Sequence, residues 1–108
     1  MGTKGDKAST KGAVFAKAIV PRLESLGKVT MKGMFGGFGI FQDGKMFALV
    51  TSNAELFFKV DDSNRAQFTK AKSPQHGRMP YFRVPASVLK NNKKLVEWAN
   101  TSVAVAHG

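Results

Sequence analysis

Cysteine is absent from this 108-residue chain. That removes a disulfide framework, a thiolate nucleophile and any zinc site built on Cys, and it fits a reducing, cytoplasmic location. Histidine is nearly absent too. His76 falls in a polar stretch and His107 lies one residue from the C-terminus, and neither makes a convincing general base. Only seven acidic residues occur, Asp6, Glu24, Asp43, Glu55, Asp61, Asp62 and Glu97. Most stand at turn, cap or surface positions, so no carboxylate pair or metal cluster is visible. Asp61-Asp62 comes closest to a pair, and a helix start explains it. No catalytic residue, metal or cofactor is therefore expected, and the chain reads as a non-enzyme. Missing as well is any apolar run long enough for a signal peptide or a membrane span: Met1 to Gly12 is polar and lysine-bearing, and no membrane partner is expected.

What is present is a core. Hydrophobic residues make up 43% of the chain and nine of them are Phe, enough for one packed domain and too short a chain for two. The formal net charge is +10, a field that concentrates polyanions and speeds their encounter. Between Ser63 and Val96 the chain carries Arg65, Lys70, Lys72, Arg78, Arg83, Lys90, Lys93 and Lys94 and no acid. These eight are the candidate nucleic-acid-binding residues. Their bland alternative, solvated lysines that keep a small protein soluble, explains the composition equally well.

Residues 1–10 read as a flexible basic tail and residues 11–108 as the domain. From about Thr10, Val14, Phe15, Ala18, Ile19, Leu23 and Leu26 recur at helical spacing, and Gly27 is placed to end the helix in a left-handed cap. Pro21 inside that pattern removes a backbone hydrogen bond, so the helix kinks or breaks there, and the continuing apolar stripe favours a kink. Val29 to Met34 reads as a strand with Gly33 as a candidate bulge. Phe38 to Gln42 and Lys45 to Thr51 flank Asp43-Gly44, the dipeptide suited to a two-residue type I′ turn, and predict a hairpin. Glu55 to Val60 reads as a fourth strand. Asp62 or Ser63 then caps a short helix through about Ala71, with Ala66 and Phe68 inward. Lys72 to Pro80 is a polar loop, and Tyr81 to Val84 a fifth strand bounded by Pro80 and Pro85, hence near an edge. A last helix, capped by Asn92, presents Leu95, Trp98, Ala99, Ser102 and Val103 inward. The order is helix, four-strand meander, helix, strand, helix: an α+β, two-layer, mainly antiparallel five-stranded sheet with about three helices.

An unbroken hairpin ladder places Gln42 opposite Lys45, Phe41 opposite Met46, Ile40 opposite Phe47, Gly39 opposite Ala48 and Phe38 opposite Leu49. Alternation then puts Phe38, Ile40, Phe47 and Leu49 on one face and Gly37, Gly39, Phe41, Met46, Ala48 and Val50 on the other. This second set is the candidate partner surface, with Gly37, Gly39 and Ala48 forming a strip almost without side chains that something approaches closely. The general rule that apolar sheet faces are covered favours one of the protein's own helices there. A second copy of the sheet or another protein is the alternative, since three helices do not readily cover both faces of five strands. Two short patterns are set aside. Gly36-Gly37-Phe38-Gly39 lacks the Gly-Lys-Ser/Thr ending of a phosphate loop and sits in a hairpin. Gly37-Phe38-Gly39-Ile40-Phe41 echoes the RNA-binding strand of RRM domains but lacks the preceding basic residue, and Ile40 replaces an aromatic.

Several spaced motifs together resemble the N-terminal domain of the TfoX (Sxy) competence regulators: Lys32, Met34-Phe35-Gly36-Gly37, Gly39-Ile40-Phe41, Asp43-Gly44 and Phe47-Ala48. The resemblance continues through Leu56-Phe57-Phe58-Lys59-Val60-Asp61, Tyr81-Phe82-Arg83-Val84-Pro85, Leu95 and Trp98-Ala99, spanning about residues 13–106. Lys32 stands where the family usually has Arg, which weakens bidentate anion recognition there. The resemblance implies a fold similar to the secretion-chaperone-like two-layer arrangement. It also implies a regulatory or protein-interaction module: family members are positive regulators of genes for DNA uptake that act alongside the transcription machinery. The longer members have a second, C-terminal domain, and this chain is expected to be a stand-alone single-domain member. Its expected partner is a protein of the transcription machinery or a second copy of itself, with direct nucleic-acid binding as the alternative.

Overall fold

A computed structural model of the chain describes residues 4–34 and 36–108, with side chains from residue 11 onward. The first helix, α1, spans Lys4–Arg22. It therefore begins about six residues before the predicted start, and residues 4–10 of the expected tail are helical, while residues 1–3 lie outside the described residues. Its inner stripe also differs from expectation. Ala16, Ile19 and Leu23 are fully or almost fully buried, but Val14 is 64% exposed and Ala18 is exposed as well. Gly12, Ala16, Ile19 and Leu23 follow the i, i+4, i+7, i+11 spacing of one helical face, and Val14 falls off it.

Pro21 ends this helix instead of kinking it. The α-helix stops at Arg22, and Leu23 bonds the Val20 carbonyl at 3.0 Å, opening a 3-10 turn over Glu24–Leu26. A proline cannot donate and crowds the preceding turn, so the tighter pattern takes over. Gly27 closes that turn with its N–H on the Glu24 carbonyl at φ +111° and ψ −143°. It is not the left-handed cap expected, though the conformation still favours glycine.

The sheet is a five-stranded antiparallel meander in chain order: β1 Val29–Met34, β2 Gly37–Gln42, β3 Lys45–Val50, β4 Leu56–Lys59 and β5 Tyr81–Arg83. Asp43 and Gly44 take φ +49° and +84°, as the type I′ turn requires. The β1–β2 ladder runs unbroken from Val29–Gln42 to Met34–Gly37, so Gly33 is not a bulge. The irregularity lies in β3. Phe41 faces Met46 as expected, but Ile40 faces Ala48, Gly39 faces Leu49 and Phe38 faces Val50. Phe47 is an extra residue, and beyond it every partner is displaced by one from the predicted pairing.

That displacement redistributes the side chains. Ile40, Phe47, Ala48, Val50, Leu56 and Phe58 join Ala16, Ile19, Leu23 and Leu95 in one core, while Leu49, Phe57 and Tyr81 form a separate cluster with Met46. Ala48 and Val50 thus belong to the helix-packed face and Leu49 to the other, the reverse of the sequence expectation. The bulge brings both Phe47 and Ala48 to the core side, which alternation alone forbids.

Among the described residues there are four α-helices where about three were expected. After β4, α2 spans Arg65–Lys70, and after β5 come α3, Ala86–Leu89, and α4, Asn92–His107. Neither Asp62 nor Ser63 caps α2. Asp61 instead accepts from the Ser63 N–H at 2.7 Å and hydroxyl at 2.5 Å, and Asn64 takes the N-cap position of a helix that starts at Arg65. Phe68 points inward as expected, but Ala66 is exposed. The cap of α4 is Asn91, whose side chain accepts from the Lys94 N–H at 3.0 Å, not Asn92. Leu95, Ala99 and Ser102 of α4 are buried, and Trp98 meets Phe68 edge-on at 4.8 Å. Among the described residues, no helix is long and apolar enough to cross a membrane.

Candidate interaction surface

The helices gather on one side of the sheet. α1 packs on β1, β2 and β3, α4 on β3 and β4, and α3 on α4. Alternation along the strands places Thr30, Lys32 and Met34 of β1, Gly39 and Phe41 of β2, Met46 and Leu49 of β3, Phe57 and Lys59 of β4, and Tyr81 and Arg83 of β5 on the side the helices leave. Among the described residues no helix covers this face, contrary to the expectation.

What approaches Gly39 is the protein's own side chains. A β-carbon there would lie 3.0 Å from the Met46 sulfur, 3.1 Å from the Met34 sulfur and 3.1 Å from the Phe41 ring. The glycine makes room for two thioethers and an aromatic ring folded over the sheet. Gly37 has another reason to lack a side chain. A β-carbon there would overlap the Val50 carbonyl oxygen of the neighbouring strand.

The loop before β5 closes part of the face. Its backbone runs beside β5, with the His76 N–H on the Tyr81 carbonyl at 2.8 Å and the Arg83 N–H on the Pro74 carbonyl at 2.9 Å. This sets the His76 ring 4.7 Å from Phe57. Arg83 also reaches over Phe57, 6.0 Å from the ring centre, and pairs with Glu55 at 3.2 Å. Phe57 and Tyr81 are only 6% and 5% exposed as a result. Burial also pushes the Tyr81 phenol above its ordinary pKa.

Between this loop and the β3–β4 turn a groove of about 450 Å³ remains. Met34, Met46, Leu49 and Met79, with Phe38 and Val50 at its inner end, supply apolar lining, and Thr51, Asn53, Glu55 and His76 contribute polar groups. Met79 is 39% exposed, unusual for a large apolar side chain in this chain. Three flexible thioethers in one groove suit apolar side chains of varied shape. A family model, the TfoX N-terminal domain, matches residues 22–106. The chain belongs to the TfoX N-terminal domain family. No curated protein matches it.

The TfoX-family motif residues serve the hairpin. Met34 and Gly39 form the thioether-covered floor, Asp43-Gly44 the turn, and Phe47-Ala48 the bulge that fills the core. Gly36 has φ +76° with open space around it, and Phe35 lies outside the described residues. Lys32 and Lys59 stand on the helix-free face, and Lys32 is exposed. Trp98 packs in the helical layer. Of the proposed partner surface, Gly37, Gly39, Phe41 and Met46 hold their places, whereas Ala48 and Val50 are core residues.

The eight basic candidates do not share one element. Arg65 begins α2 and pairs with Asp62, and Lys70 ends that helix. Lys72 and Arg83 meet at a shallow depression with Pro74, Pro85 and Leu89. Arg78 lies in the loop beside Met79, Lys90 follows α3, and Lys93 and Lys94 fall in the first turn of α4. Among the described residues no group of three His, Cys, Asp or Glu side chains could hold a metal ion.

Sequence reasoning singled out neither Leu49 nor Met79 for this surface, nor Arg22. The Arg22 guanidinium donates to the Leu89 carbonyl at 2.6 Å and to the Asn92 side chain at 2.8 Å, joining the end of α1 to the α3–α4 corner. Its only signal was a basic residue in a last helical turn.

Proposed function

We propose that this TfoX-family domain is a non-enzymatic regulatory module that docks a protein partner on the helix-free face of its sheet. One observation carries the reading: among the described residues every packed helix lies on the opposite face, leaving the groove of Met34, Met46, Leu49 and Met79 uncovered. The partner fits if it offers apolar side chains to the thioethers and acidic groups around them. Lys32 and Lys59 share the face and the chain's net charge is +10, so an acidic surface is attracted and a second copy repelled. Within the family's setting, that partner is a component of the transcription machinery.

The test compares affinity capture by the wild type and by Met46→Glu and Met79→Glu, with the captured proteins identified and rebound in purified form. A purified acidic protein that binds the wild type and loses about tenfold or more in affinity with either variant supports the reading. Equal binding by all three forms sinks it. Light scattering supplies the other outcome: a dimer that both variants dissociate would assign the groove to a second copy.

Direct nucleic-acid binding is the second reading, favoured by the meeting of Lys72 and Arg83 at one depression. Two features weigh against it. Arg65 and Arg83 already have carboxylate partners, and Phe57 and Tyr81 are too covered to stack on bases. A salt-sensitive gel shift abolished by Lys72→Ala with Lys90→Ala would favour it; its absence at low salt would remove it.

A further inference from the structure

We infer that the outer edge of β1 is a strand-addition site for an extended acidic segment of another protein. The two edges of the sheet are treated differently. At β5 the chain closes its own edge: residues 74–76 lie alongside, Gln75 bridges Phe82, and the Tyr81 carbonyl and Arg83 N–H are both bonded. Prolines at positions 80 and 85 bound that strand. At β1 nothing comparable occurs among the described residues.

Which groups of β1 face outward follows from one hydrogen bond. The Asp43 N–H bonds the Lys28 carbonyl at 2.8 Å, and Lys28 continues the β1–β2 register that pairs Val29 with Gln42. Bonded pairs alternate in an antiparallel ladder. Lys28, Thr30, Lys32 and Met34 therefore bond β2, and Val29, Met31 and Gly33 turn their N–H and C=O groups away from the sheet. No backbone partner meets these groups among the described residues. The edge is six residues long with no proline, long enough to template another strand.

Charge selects the occupant. Lys28 and Lys32 are exposed, and neither forms an ion pair among the described residues. A second β1 added antiparallel would bring its own lysines within cross-strand range of these, in a chain already at +10, which like-charge pairing disfavours. An acidic strand gains the same interactions with opposite sign. Its alternate side chains would lie beside Lys32 and Met34 on the helix-free face and beside half-buried Val29 and Met31 on the other. This rests on the interaction reading above but uses the edge and not the groove.

The experiment follows backbone amide exchange by NMR with a soluble peptide alternating valine and glutamate, and a valine–lysine peptide of equal length as control. In the free protein the Val29, Met31 and Gly33 amides exchange fast while Thr30 and Lys32 are protected. The glutamate peptide slows the three outward amides by about tenfold or more at saturation, and the lysine peptide does not. Lys32→Glu, an exposed change that keeps the fold, weakens the glutamate peptide by about tenfold and reverses the preference. Three results overturn the inference: outward amides already protected at every protein concentration, protection that grows with protein concentration alone, or equal response to both peptides. Peptide binding retained by Met46→Glu and Met79→Glu separates the edge from the groove, so either reading can fail alone.

Discussion

Ile40 faces Ala48 across β2 and β3, while the next residue, Phe41, faces Met46. Between those two pairs Phe47 has no partner across the ladder, and its side chain is fully buried 6.2 Å from the Phe58 ring. This one extra residue decides which half of the hairpin feeds the core and which half faces outward.

Phe47→Ala removes the ring that the bulge delivers and leaves a cavity between sheet and helices. A loss of about 3–5 kcal/mol is expected, read as a lower urea midpoint with an unchanged slope.

Two neighbouring glycines should respond differently to alanine. At Gly37 the new β-carbon overlaps the Val50 carbonyl oxygen, which belongs to a strand held on both sides and cannot yield, so Gly37→Ala costs about 3 kcal/mol or more. At Gly36 nothing lies within 4 Å and only the φ of +76° resists, so Gly36→Ala costs about 1–2 kcal/mol. Parallel chemical denaturation of the two variants checks the order; a reversed order would contradict the close approach of β2 and β3.

Asn64 is 5% exposed and ties three segments together. Its side-chain oxygen accepts from the Asp61 N–H at 2.9 Å, and its amide donates to the Lys59 carbonyl at 3.0 Å and the Thr101 hydroxyl at 3.2 Å. Asn64→Ala leaves these groups without their partner and costs about 1–3 kcal/mol. Thermal unfolding should show it, with the far-UV spectrum at low temperature unchanged.

Two groups give the stability opposite pH dependences. The Ser63 hydroxyl and N–H hold the Asp61 carboxyl below its ordinary pKa. That contribution is present above the unfolded carboxylate value and is lost as pH falls through the folded one. Ser63→Ala should move the Asp61 midpoint up in an NMR titration. Tyr81, raised by burial, contributes fully below the unfolded phenol pKa and loses its contribution as pH rises through the folded value. Its absorbance titration should fall back to the ordinary range in urea.

Much of the architecture was legible in the residues. Asp43-Gly44 located the hairpin because few dipeptides tolerate two consecutive positive φ values, and the prolines at 80 and 85 marked β5 as an edge. The family motifs matched the domain found over residues 22–106. The facing of side chains was less legible. Nothing in Lys45-Met46-Phe47-Ala48-Leu49-Val50 announces a bulge, since all but the first are apolar and either face would accept them. Leu49 therefore moved to the open face, and Ala48 and Val50 to the core. Val14 misled for a related reason: an apolar residue beside a helical stripe resembles a member of it until a surface is packed against the helix.

The sequence by itself determined the family, the order of the strands and of every α-helix but α3, the hairpin turn and the lack of acidic residues between Ser63 and Val96, because these rest on local backbone preferences and composition. Only the tertiary structure decided that the helices share one face, that Phe47 is the extra residue, and that Met34, Met46, Leu49 and Met79 line a groove. It alone closed the β5 edge and left the outer edge of β1 without a backbone partner among the described residues. Those outcomes depend on contacts between segments far apart in the chain, where the competition for a limited core, not the preference of any residue, selects the inward side.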